Sequence, residues 1–187
     1  VDNGDYTMIF GFPGSTDRFL TSYGIQEAID QSNPTTVQIR EEKLAIMKTG
    51  MDANKKTKIQ YAAKYAQTSN YWKYFIGQTR GLKRMKVYDQ KVEIENNFTD
   101  WVNSGDEARY EKYGNALNLI EQAYQQNSKI CVARTFLNEA VFQGAEIMYF
   151  SFKMNRMLAN IPEDEKDKRK FMKEIKKEAK EFYKNYN

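Results

Sequence analysis

Histidine is absent from all 187 residues, so no imidazole is available to accept and return a proton near neutral pH. A serine or cysteine nucleophile that relies on histidine therefore cannot be completed within this chain. The same absence removes the Glu-x-x-His di-iron pattern of helical bundles and the usual zinc sites. Cysteine is almost as scarce: Cys131 stands alone, which excludes an internal disulfide or a multi-cysteine metal site and leaves the redox compartment open. No apolar run approaches the roughly 18 residues of a membrane span, and the mean hydropathy of -0.80 is that of a water-facing chain. The first residues, Val1-Asp2-Asn3-Gly4-Asp5, carry neither an initiator Met nor the basic and apolar regions of a secretory signal. The chain is thus expected to be a piece of a longer protein, of one domain or one domain plus a fragment of another.

Two unequal regions are expected. Residues 1 to 22 read as strand and turn: Tyr6 to Phe10 is β-branched and aromatic, and Gly11-Phe12-Pro13-Gly14 punctuates it. A lone strand cannot satisfy its own backbone, so its partners are expected from elsewhere. Residues 23 to 187 read as helical. A first helix spans Tyr23 to Asp30 and ends at Asn33-Pro34, and a second runs over about 35–50 to Gly50. Lys55 to Ser104 contains no proline and repeats apolar residues at steps of three and four, giving one long helix or two with a break near Thr68 to Asn70. Asn103-Ser104-Gly105 stops it, Asp106-Glu107 opens a helix over about 106–125, and 128–159 is apolar on most sides and expected at the buried centre of the bundle. Pro162 with Glu163, Asp164 and Glu165 opens a last helix, with Phe171, Ile175, Ala179 and Phe182 as its narrow apolar stripe. Overall the fold class is mainly α, a helical bundle with a short N-terminal β-strand segment.

Charge is uneven. Ten basic residues fall between Lys55 and Lys91 against Asp89 alone, a net +9 that exceeds the +4 of the whole chain. Interleaved with Tyr61, Tyr65, Tyr71, Trp72 and Tyr74, they could make the chain an independent helical adaptor that binds protein or nucleic acid through 55–91, the latter by neutralising phosphates and stacking bases. A solvated helix face beside the acidic residues 92–127, net -5, outweighs that reading. Gly11 to Thr16 lacks the lysine and spacing of a phosphate loop. Gly77 and Gly81 form a small-xxx-small pair, read as close backbone packing or a kink. Glu139 and Glu146, two turns apart on the apolar segment, could act as an acid/base pair or bind a metal. Pairing of each with a basic residue from a neighbouring helix outweighs this.

Three stretches together carry a resemblance: Gly11-Phe12-Pro13-Gly14-Ser15-Thr16-Asp17-Arg18-Phe19-Leu20-Thr21-Ser22-Tyr23-Gly24, then Ile59-Gln60-Tyr61-Ala62-Ala63-Lys64-Tyr65-Ala66, then Ser69-Asn70-Tyr71-Trp72-Lys73 with Ile76-Gly77 and Arg80-Gly81-Leu82-Lys83. In order and spacing they resemble the bacterial dipeptidyl-peptidases of serine peptidase family forty-six. Ser15 and Asp17 depart from the Arg and Asn usual in that turn. The resemblance implies a chymotrypsin-like double barrel with a helical domain inserted between the triad Asp and Ser. On it, residues 1–22 are the end of the first barrel and 23–187 an incomplete helical lid or cap. It places the triad outside this chain, so no catalytic, cofactor-binding or metal position falls on a residue here, and neither Ser15 nor Ser22 is the nucleophile. No cofactor is implied. The implied partners are peptide substrates and the remaining peptidase barrels, with no nucleic acid and no membrane span, and a homodimer is allowed. The implied location is the periplasm or cell surface.

Overall fold

The computed structural model of the chain describes residues 2, 4–8 and 17–186, and among these there are helices and no strand. Tyr6 to Met8 lie in irregular backbone, with Tyr6 86% exposed. Ile9, Phe10 and the Gly11 to Thr16 turn lie outside the described residues, so the expected strand is not shown.

The first helix, α1 (Ser22–Glu27), does not end at Asn33-Pro34 as expected. It passes through a π-helical turn (Ala28–Ser32) directly into α2 (Asn33–Ala53). The Asn33 amide donates five residues back to the Ala28 carbonyl. This widened turn falls just before Pro34, whose ring would press on the carbonyl four residues earlier in a regular α-helix. Thr21 makes no capping bond at the start of α1. A carboxylate from far along the chain does it instead: Glu95 accepts from the Ser22 amide and hydroxyl, both at 2.6 Å, at the positive end of the helix.

Gly50 lies inside α2, which runs on to Ala53. Asn54 then caps α3 (Lys55–Arg84) by accepting from the Lys56 and Thr57 amides. The two helices form an antiparallel hairpin, and Asn33 closes its far end by donating to Gln78 and Thr79, each at 3.0 Å. Nothing breaks α3 near Thr68 to Asn70. The break comes at Lys86, whose φ of 52° and ψ of 42° are left-handed. Gln90 then donates to the freed Met85 carbonyl. Helix α4 (Val87–Asn103) stops at the expected Asn103-Ser104-Gly105, and Asp106 caps α5 (Glu107–Tyr113) by accepting from the Arg109 amide at 3.0 Å.

That helix is shorter than expected, Glu107–Tyr113. After Gly114-Asn115, α6 (Ala116–Phe136) runs through the expected junction at 125–128 and into a second π-helical segment (Leu137–Phe142). Helix α7 (Glu146–Ala159) follows, and α8 (Glu165–Tyr186) starts behind Pro162 as expected, with Asp164 accepting from the Lys166 and Asp167 amides. Helix α1 packs on α4 and α6, α2 on α6, and α7 on α8.

Among the described residues the apolar interior is small: Ile25, Ile39, Leu44, Val102, Cys131 and Ile175 are its buried members. The expectation that 128–159 forms the buried centre is overturned. Cys131 and Glu139 are buried there, but Ile130, Phe136, Ile147, Tyr149 and Leu158 are between 44% and 57% exposed. The π-helical segment and the turn at Gln143 to Ala145 set α7 against that segment and α8, and these apolar side chains remain on the surface among the described residues. Gly77 and Gly81 also differ from expectation. A Cβ at either would meet nothing within 4 Å, and α3 is continuous through both.

Candidate functional site

The chemistry-bearing side chains converge where α2 and α3 meet the second π-helical segment and the start of α7. Arg40 of α2 grips Glu139 in a bidentate pair, Nε to Oε2 at 2.9 Å and Nη2 to Oε1 at 2.8 Å, with both side chains only 11% exposed. The guanidinium also lies 5.4 Å from the Tyr71 ring centre and 5.6 Å from that of Phe75. Arginine suits this place because its planar fork matches a carboxylate while its face stacks on rings. One turn on, Lys43 donates to the backbone carbonyl of Gln143. Burial pulls its ammonium below the ordinary lysine value, Glu139 opposes that and Arg40 reinforces it. From α3, Lys64 pairs with Glu146 at the first position of α7.

Glu139 and Glu146 are thus claimed separately by two cations from two helices, as the competing sequence reading had it. They do not form a carboxylate pair. Among the described residues no group of three or more carboxylate or thiol side chains is placed to hold a metal.

Cavities open on either side of the Lys64–Glu146 bridge and share Lys64, Gly144 and Glu146. One, of about 470 Å³, lies against α2 with Ile39, Ile46, Met47 and Phe136 in its walls and Tyr61 on its α3 side. The other, of about 370 Å³, lies against α8 with Phe142, Tyr149, Phe150 and Phe182. Phe150 and Phe182 stack at 4.1 Å, and Lys153 bridges to Glu178 at 2.5 Å behind them. Both volumes fall within the roughly 300–1,000 Å³ of ligand pockets. Gly144 is required at the join, since a Cβ there would run into the Ala140 carbonyl. Sequence reasoning found the two glutamates but missed Lys43 and the groove. Only the groove left a signal, a Gly144 that interrupts an otherwise helical apolar pattern.

The remaining candidates stand apart. Ser22 donates its hydroxyl to the Glu95 carboxylate that also caps α1. Cys131 is 1% exposed, and burial, followed by the nearby Glu27 carboxylate, pushes its thiol up. That is the opposite of an activated nucleophile. Of the basic side chains between Lys55 and Lys91, only Lys64 takes part in an ion pair among the described residues, and its partner is Glu146, outside the acidic 92–127 stretch. Among the described residues no helix is long and apolar enough to cross a membrane.

The family model described as peptidase S46 matches residues 1–187. Dipeptidyl-peptidase 7 of Porphyromonas gingivalis is 40% identical over 156 residues, which are 83% of this chain and 22% of that protein. Dipeptidyl-peptidase 7 of Porphyromonas endodontalis is 38% identical over 152 residues, 81% of this chain and 18% of that protein. The Asp/Glu-specific dipeptidyl-peptidase of Flavobacterium psychrophilum is 32% identical over 157 residues, 84% of this chain and 22% of that protein. The chain spans about a fifth of the length of these curated relatives.

Proposed function

We propose, on the premise that this chain belongs to the peptidase S46 family, that it is the helical cap over the cleft of a serine-type exopeptidase that releases dipeptides from peptide N-termini. The observation that carries this reading is a family match over the whole chain combined with the complete lack of histidine. A serine peptidase of this kind needs an imidazole to activate its nucleophile, so in this reading the triad belongs to other parts of the parent and this chain alone is inactive. What the chain offers instead is a helical body with large apolar side chains exposed along α6 and α7, suited to lie against the peptidase barrels and close over bound peptide. A relative named for Asp/Glu specificity and one whose name states no specificity match 84% and 83% of this chain. That supports a role common to them, admission of short extended peptides, over selection of the residue at the cut. Periplasmic or surface placement goes with this reading.

The test is to replace residues 22–186 in the parent with a short linker and compare hydrolysis of peptides of rising length. The cap reading expects the bias toward short peptides to disappear. An unchanged bias with unchanged activity would refute it.

A further inference from the structure

We propose that the cavity between α2, α3 and the start of α7 holds the C-terminal end of a short apolar peptide, with the Lys43 ammonium binding its carboxylate. The choice of a peptide over other carboxylates rests on the peptidase reading above; the geometry of the site does not.

Lys43 is the cavity's cation without a carboxylate of its own. Arg40 takes both oxygens of Glu139, and Lys64 is paired with Glu146. Lys43 spends one N–H on the neutral Gln143 carbonyl, which leaves two of the three donors of an ammonium group. A half-buried charge in that position gains more from an anion than an exposed lysine does. The wall beside it is apolar, formed by Ile39, Met47 and Phe136, so a ligand with a hydrophobic side chain next to its carboxylate fits better than a small hydrated anion. Glu42, exposed at the rim, disfavours multiply charged anions such as phosphates. The second cavity continues the groove past Gly144, which favours an elongated chain over a compact ligand.

The test is titration calorimetry of the intact peptidase with N-acetyl-Leu-Leu-Phe as the free acid and as the carboxamide. The free acid should bind about tenfold or more tightly than the amide, the range of one charge-assisted hydrogen bond. Lys43→Gln should erase that difference and Lys43→Arg should keep most of it. Equal binding of acid and amide, or a preference that survives Lys43→Gln, overturns the proposal. Decanoate binding more tightly than the peptide acid overturns the peptide assignment in favour of an aliphatic acid. The acetylated probe has no free N-terminus for an exopeptidase to read, so a negative result leaves the cap reading standing. Failure of the linker experiment would strike the cap reading alone.

Discussion

At the scale of single residues, the Arg40–Glu139 pair is the most buried ion pair among the described residues. With both side chains 11% exposed, loss of one partner leaves a buried charge uncompensated. Arg40→Met should therefore destabilise the chain by about 3 kcal/mol or more in urea unfolding, whereas Arg40→Met combined with Glu139→Leu should return most of that loss. A double variant as unstable as the single one would mean the pair contributes through its fit to Tyr71 and Phe75 and not through charge. Cys131 yields a pH prediction with a defined sign. Burial raises its thiol in the folded state, so the unfolded thiol, near its usual value of about 8.5, loses its proton first as pH rises. Its share of stability is full below about pH 8.5 and is lost as pH climbs through the higher folded value. Urea midpoints of the wild type should fall more between pH 7 and 10 than those of Cys131→Ala, and the folded thiol should resist a thiol reagent that labels it at once in denaturant. Prompt labelling of the folded chain would contradict its burial.

At the scale of elements, the joints decide where helices stop. Lys86 holds a left-handed conformation that costs a residue with a side chain about 1–2 kcal/mol. Lys86→Gly should raise stability by about 1 kcal/mol in thermal or urea unfolding, and no gain would show that the side chain earns its place through packing. Gly77 and Gly81 sit in the interior of α3 with open space at the Cβ position. Each Gly→Ala change should stabilise this chain by up to about 1 kcal/mol, and a loss would show that the close packing read from their spacing exists after all. These joints also mark what the amino-acid pattern could reveal. Signals built on local chemistry were legible: the Asn103-Ser104-Gly105 stop, the helix start at Asp106-Glu107, and Pro162 before α8. The Gly114-Asn115 stop was equally local and was overlooked. The break at Lys86 was not legible, because nothing in a lysine announces positive φ. The π-helical passage at Pro34 hid behind the ordinary rule that proline ends a helix, and the cap on α1 comes from Glu95, 73 residues away.

At the scale of the whole molecule, 128–159 was expected at the buried centre of the bundle because it is apolar on most sides, and its cover was sought inside the chain. The structure leaves Ile130, Phe136, Ile147, Tyr149 and Leu158 substantially exposed, and the chain spans about a fifth of the length of its relatives. Periodicity reports that a face is apolar and is silent about what covers it. The two glutamates of the candidate site were visible in the sequence and so was the kind of partner each would find. Lys43 was not, because its half-buried, carbonyl-bound state depends on the fold of Gln143 against α2. In the cap reading, this exposed face and the groove beside it work together, one docking on the parent and the other meeting peptide. The most direct test of that reading is the ratio of kcat/KM for a short peptide to that for a long unfolded chain, measured in the intact parent and in the form with residues 22–186 replaced by a linker, after active-site titration confirms that both hold a reactive serine. The prediction is a ratio well above one in the intact enzyme that falls to near one without the cap. An identical ratio in two equally titratable enzymes would contradict it.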